Sequence, residues 1–331
     1  MSLVLGVLLR VVSDHLSDHE SWFVVRAAAS GQSFVCLRVG RFQAARGEGR
    51  GEKDNTTRRA PVCTLEAAND RPDVWECWRM SLGLRLGDDP SMRIATASER
   101  PDLLVRAWEQ TRDTNPEYNK HGAVLNEYWP RLTEERAEFQ FNLITQEDGI
   151  LARAHSIPLH WDGSSADLPS GIDGAIKRGF EDGDANVLCA LLIAVPRDLQ
   201  ARGLSRAAVE AMATIARLHG LTALIAPVRP NWKERYPLVE IERYAQWRRP
   251  DQLPFDPWMR VHERLGATVL KPEPRSLHII GTVSEWEAWT NMTFPESGDY
   301  WFPGGLATVR IDRESDHGTY WEPNVWMRHT L

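Results

Sequence analysis

The chain has 331 residues, 42% of them hydrophobic and 26% charged, the profile of a soluble globular protein with enough apolar material for one large domain or two ordinary ones. A formal net charge of −7 lacks the clustered Lys and Arg that phosphate contacts demand, which argues against nucleic-acid binding. The four cysteines show no CxxC spacing and call for neither a disulfide nor a metal site, no apolar stretch is long enough to span a bilayer, and the short apolar opening lacks the basic start and small-residue cleavage motif of a secretory signal, so a cytoplasmic protein without metal or membrane is expected.

Residues 1–91 and 92–331 read as different kinds of sequence. Within the first part, residues 41–61 are rich in Gly, Arg and Thr and hold few large apolar side chains, too few to offset chain entropy. Short apolar pieces at 21–26 and 33–39 suit strands, but no repeated pattern ties them into a core. His15 and His19, four apart, read as solvated rather than metal-bound. The expectation is a disordered or non-native extension over 1–91, with Met92 as the biological start; the alternative is a small accessory domain.

From Met92 the pattern alternates. A short strand leads to a helix near 101–110, opened by Ser98 with Pro101 in its first turn, and another helix follows near 124–135. A strand at 139–145, a Glu-Asp-Gly turn at 147–149 and a long strand at 150–160 make a hairpin. After a helix at 171–180, the run Val-Leu-Cys-Ala-Leu-Leu-Ile-Ala-Val at 187–195 is apolar throughout and ends at Pro196, as a strand covered on both faces would. Leu204, Ala208, Ala211, Met212, Ile215 and Leu218 then keep helical spacing up to Gly220, and a strand occupies 221–228. Residues 304–313 and 319–328 read as a C-terminal hairpin.

Between the apolar strand and the long helix lies Gln200-Ala201-Arg202-Gly203-Leu204-Ser205. A tight loop at a helix start aims unpaired backbone N–H groups and the positive end of the helix dipole at one point, which suits a pyrophosphate. Gly203 removes the Cβ that would block close approach, and Ser205 adds only a small hydroxyl. This segment resembles the acyl-CoA signature of the GCN5-related N-acetyltransferase (GNAT) family, Gln/Arg-x-x-Gly-x-Gly/Ala, with Ser205 where Gly or Ala is usual. The resemblance runs from Met92 to Leu265-Gly266-Ala267. It implies an α/β fold with a mixed, mostly antiparallel sheet and helices on both faces.

It further implies acetyl-CoA or another acyl-CoA as cosubstrate, Ile193, Ala194 and Val195 facing the pantetheine arm between two splayed strands, and Asn231 near that arm. Pro196 and Pro227, each without an N–H, agree with such a split. Val261-His-Glu-Arg-Leu-Gly-Ala places His262 where many members carry a Tyr that protonates the departing thiolate, a task open to an imidazole with a reference pKa near ~6.5. The strand before the loop offers no carboxylate. Glu240 and Glu242, in a long connection over 231–255 read as a lid, are the candidate general bases.

The eight of 14 Trp residues that follow Pro230 suit core packing more than a pocket lining. The expected reaction is direct acyl transfer, most simply acetyl transfer, to the amine of a small molecule. The alternatives are a non-catalytic acyl-CoA-binding module and an acyl-CoA decarboxylase or hydrolase on the same scaffold. Acceptor, acyl length and oligomeric state are not legible.

Overall fold

The computed structural model describes residues 91–331 other than Asp182, and in the preceding part the strands Trp22–Arg26 (β1) and Phe34–Arg38 (β2). The chain divides into two compact units, Met1–Ala68 and Asn69–Leu331. In the first, β1 and β2 pair antiparallel from Trp22↔Arg38 to Arg26↔Phe34. The rest of the expectation for 1–91, including the loose segment at 41–61, lies outside the described residues.

In the second unit, Met92–Thr96 (β3) pairs with Phe141–Thr145 (β4), which turns at Asp148 (φ 62°) into Ile150–Leu159 (β5). β5 pairs antiparallel with Val187–Ala194 (β6), and β6 runs parallel to Ala223–Val228 (β7). β7 continues into His317–Thr330 (β11), whose same edge also carries Val309–Asp312 (β10) and, beyond it, Gly298–Tyr300 (β9). Along its other edge β11 takes Thr268–Gly281 (β8). The result is a nine-stranded sheet in which β6–β7 is the only parallel pair, so the architecture is mixed, mostly antiparallel α/β.

Helices cover both faces. Leu204–Leu218 (α4) lies across one face, where Ala208, Ala211, Met212 and Ile215 meet Leu143, Ala152, Ala154 and Leu188. The small residues at these strand positions let the helix approach closely. On the opposite face Ala123–Glu135 (α2) and Gly171–Arg178 (α3) bury Leu132, Ala175 and Ile176 against Ile157, Leu159, Cys189, Ile225 and Trp326. α3 is held close because Gly171, at φ +66°, lies against the Ser276 backbone, which a Cβ would meet at 2.1 Å. Leu104–Thr111 (α1) follows a 3-10 turn at Pro101–Leu103 and packs Ala107 with Ile144 and Ile150.

Ser98 does not cap that helix. Thr96 and Glu99 bond reciprocally through backbone and side chain, and Ser98 only touches the Thr96 hydroxyl. The C-terminal hairpin forms between β10 and β11 and closes a third core in which Tyr118, Phe302 and Tyr320 meet edge to face and Trp286 stacks on Tyr118. Trp286 belongs to Val283–Thr290 (α7), opened by a capping box between Thr282 and Glu285. β8 had no counterpart in the sequence reading. Its Pro272 and Pro274 and alternating charges disguise a strand, and Pro274 falls in a register shift where no ladder N–H is needed.

Candidate functional site

The parallel ladder between β6 and β7 is short, Val187↔Ala223 to Cys189↔Ile225. Beyond it the strands part, and Ala190, Leu191, Leu192 and Ile193 of β6 and Ala226, Pro227 and Val228 of β7 line one continuous cleft of about 530 Å³. Pro227 has no N–H for this edge, and β6 is bulged opposite His155 and Ser156, so main-chain groups of both strands are released toward the opening. The split expected from Pro196 and Pro227 is thus present, with β11 pairing only the outer edge of β7.

The loop over 200–205 behaves as its composition suggests. Gly203 caps α4 in the left-handed region (φ 80°, ψ 0°) and no side chain caps the helix. The first intrahelical bond runs from Ala207 N–H to Gly203 C=O at 3.1 Å, so the N–H groups of Leu204, Ser205 and Arg206 have no acceptor within the helix. Ala201 also has positive φ, and nothing stands within 4 Å of a Cβ built on Gly203. Ala201, Arg202 and Gly203 are exposed, Ser205 is half-buried, and Leu204 anchors the turn in the core. The Gln200 amide, though exposed, donates back to the Val195 carbonyl at 3.3 Å and so ties the loop to the end of β6.

Of the three residues expected to face the pantetheine, Ile193 lines the cleft, whereas Ala194, the last residue of β6, and Val195, just beyond it, have buried side chains and do not line it. Asn231 is exposed at the cleft.

The segment 231–255 is no lid. It packs Ile241 and Tyr244 of Ile241–Tyr244 (α5), with Ala245, against Ala226, Val228, Val325 and Met327. Tyr236, Tyr244, Trp247 and Phe255 form one aromatic cluster, and the buried Lys233 ammonium donates to the carbonyls of Tyr236, Pro237 and Leu306. Apolar burial of one face pulls the segment onto the sheet. Glu240 and Glu242 are left exposed on its outer side, and neither lines the cleft, so the structure does not bring the two candidate bases to the site.

His262 does reach the cleft, from Pro257–Arg264 (α6). That helix is aimed by Asp256, whose carboxylate accepts from the N–H groups of Trp258 (2.9 Å), Met259 (3.1 Å) and Trp232 (2.8 Å) and from the Tyr244 hydroxyl (3.0 Å). The imidazole is 2% exposed, packs edge-on to Trp258, and places Nδ1 2.8 Å from Nε2 of His329 on β11. One nitrogen of this pair donates and the other accepts. With Nδ1 engaged by His329, Nε2 is the nitrogen of His262 left for the cleft. Burial, and secondarily His329, push its pKa down to about 3. That shift works against the expected role of His262 as an imidazolium that protonates sulfur.

Several site residues carried no sequence signal. Glu322, 2% exposed, lies on β11 where β7 and β10 leave a gap along its edge. Its oxygens accept from Arg229 Nε (2.7 Å), Asn119 (2.9 Å), Tyr118 (2.9 Å) and Tyr320 (3.0 Å). With every lone pair engaged it braces the cleft floor and has no free site for a substrate proton. Burial opposes the charge of Arg229, but Glu322 outweighs it and holds the guanidinium protonated. Asn324 donates to Pro227 C=O at 2.7 Å and keeps Oδ1 unbonded at the split. Trp108, Asn126 and Trp129, from α1 and α2, and Arg153, from β5, complete the wall on the α2 side.

No family model matches the chain. Among curated proteins, arginine N-acetyltransferase avaD of Aspergillus versicolor is 28% identical, over 76% of this chain and 97% of its own. The chain is thus similar to an N-acetyltransferase over most of its length. Among solved structures, the loading GNATL domain of CurA from Lyngbya majuscula aligns over 72% of this chain and 96% of its own, at 16% identity and a TM-score of 0.45. The GphF GNAT-like decarboxylase in complex with isobutyryl-CoA aligns over 72% and 98%, at 16% identity and a TM-score of 0.43.

Proposed function

We propose that the chain is an acyl-CoA-dependent N-acyltransferase that moves an acetyl group to an amine of a small molecule. The carrying observation is that the ladder between β6 and β7 stops at Cys189↔Ile225, beside a helix start whose N–H groups are free. The diphosphate of acetyl-CoA sits on the main chain of 201–205, and the pantetheine arm enters the split along Ile193, pairing with the backbone that β7 no longer uses. The thioester then lies at the β6 bulge, where main-chain N–H groups stabilise the oxyanion.

A neutral amine enters from the α2 side. His262 Nε2 accepts its hydrogen bond and turns its lone pair toward the thioester carbon. The C–N bond forms, the C–S bond breaks, and the proton passes to the thiolate directly or through water, since a ring with a pKa of about 3 does not retain it. The curated relative is named for arginine, which makes arginine the first acceptor to try. The full chain, acetyl-CoA and a panel of amines led by arginine are combined, reading free thiol and product mass. Stoichiometric CoA and acetylated amine are expected. Acetyl-CoA binding without thiol release from any amine would reduce the chain to a binding module, and absence of both would end the reading.

A further inference from the structure

Arg153 sits on β5 with its guanidinium in the cleft wall and, among the described residues, makes no hydrogen bond or ion pair. Its Nε is fully enclosed without a partner. The rest of the half-buried guanidinium borders the cleft, and the enclosed Nε–H is costly to keep, because a buried donor without an acceptor loses its hydration for nothing. Burial pulls its pKa down to about 10, and it remains charged at neutral pH.

The face on which it lies decides what it serves. Ala152 and Ala154, its strand neighbours, point into the core under α4, whose N-terminus is the diphosphate site. Arg153 and His155 therefore point to the other face, where the Trp129 ring of α2 lies 4.9 Å from the His155 ring. The other cations lining the cleft are already matched: Arg229 by Glu322 at 2.7 Å and Lys120 by Glu117 at 2.6 Å. His262 is neutral, and His155, driven down to about 3 by burial and then by the Arg153 charge, is neutral too. Arg153 is the uncompensated charge of the acceptor side, and its planar fork suits a carboxylate.

We infer that the acceptor is a carboxylate-bearing amine, of the amino-acid class, whose carboxylate is held by Arg153. This rests on the acyl-transfer reading. It adds that acceptor selection resides on β5, away from both the CoA loop and His262.

The test uses the full chain, acetyl-CoA, and α-amino acids paired with their carboxamides, in wild type, Arg153→Gln and Arg153→Lys. Wild type should prefer the acids. Arg153→Gln should lose roughly a hundredfold in kcat/KM toward acids and little toward amides, with Arg153→Lys between, and KM for acetyl-CoA unchanged. Equal use of acid and amide by wild type, or a rise in the acetyl-CoA KM of Arg153→Gln with acceptor preference intact, would overturn it. A binding arm separates the two claims: thermal shift of the CoA-loaded protein with the same pairs. If no amine is acetylated, the transfer reading fails. Stabilisation by the acids that disappears in Arg153→Gln still supports the carboxylate site, and its absence in wild type sinks it.

Discussion

At the scale of single residues, two side chains that look alike in a sequence are assigned opposite properties by their neighbours. His262 is a helical histidine with no obvious partner within its own segment. Its partner, His329, is 67 residues away, and that contact engages Nδ1 and leaves Nε2 for the cleft. Since the pKa is about 3, His262 does not titrate between pH 5 and 9. The rise of kcat/KM with pH should therefore follow the acceptor's own amine and move when an acceptor of different pKa is used. His262→Ala should lower kcat by roughly ten- to a hundredfold and leave that limb in place. A limb near 6.5 that vanishes in the variant would return His262 to the role of an ionising acid or base.

At the scale of elements, the α4 start is a backbone device, and two glycines separate strain from function. Gly203 and Gly266 have nearly the same backbone geometry, φ 80° and 83°, and a Cβ on either meets nothing within 4 Å. Replacing either by Ala should cost about 1 kcal/mol of stability through left-handed strain alone. Only Gly203→Ala also puts a methyl where the diphosphate lies, so its KM for acetyl-CoA should rise about tenfold or more while that of Gly266→Ala stays near wild type. Calorimetric unfolding beside initial-rate kinetics reads both. Equal KM changes would remove the loop from the cofactor site. The Gln200 to Ser205 run was legible beforehand because glycine and the strand-to-helix context are local. The fate of 231–255 was not, because an aromatic, charged segment reads the same as a lid or as a packed layer until its apolar face finds the sheet.

At the scale of the whole molecule, buried histidines set an acid limit. His155 and His262 both have pKa values pushed down to about 3 by burial, and that of His329 is lowered too. A histidine depressed on folding contributes stability that is complete above the unfolded value near ~6.5 and is lost as pH falls toward the folded one. Asp173, raised to about 6 chiefly by burial, works in the opposite direction, gaining as pH falls. From pH 7.5 to 5 the two deepest histidines lose about 2 kcal/mol each and Asp173 returns about 1.4, a net loss of roughly 2 to 3 kcal/mol. Denaturant midpoints should fall accordingly between these pH values, and less steeply in His155→Gln. A midpoint that holds or rises at pH 5 would mean that these rings are not neutral in the fold.

What the amino-acid sequence determined by itself is whatever depends on near neighbours. The helix α4 with its stop at Gly220, the hairpin at 141–159, the apolar strand β6 and the turn at Gly203 follow from periodicity, turn residues and composition within short windows. Only the tertiary structure decided the chemistry of the cleft. The contact of His262 with His329, the binding of Glu322 by Arg229, Asn119 and Tyr118, 93 to 204 residues away, and the absence of a partner for Arg153 Nε all depend on segments distant in the chain. The reason is physical: secondary structure answers to backbone geometry over a few residues, whereas protonation and hydrogen-bond capacity answer to whichever atoms the fold brings within about 3 Å.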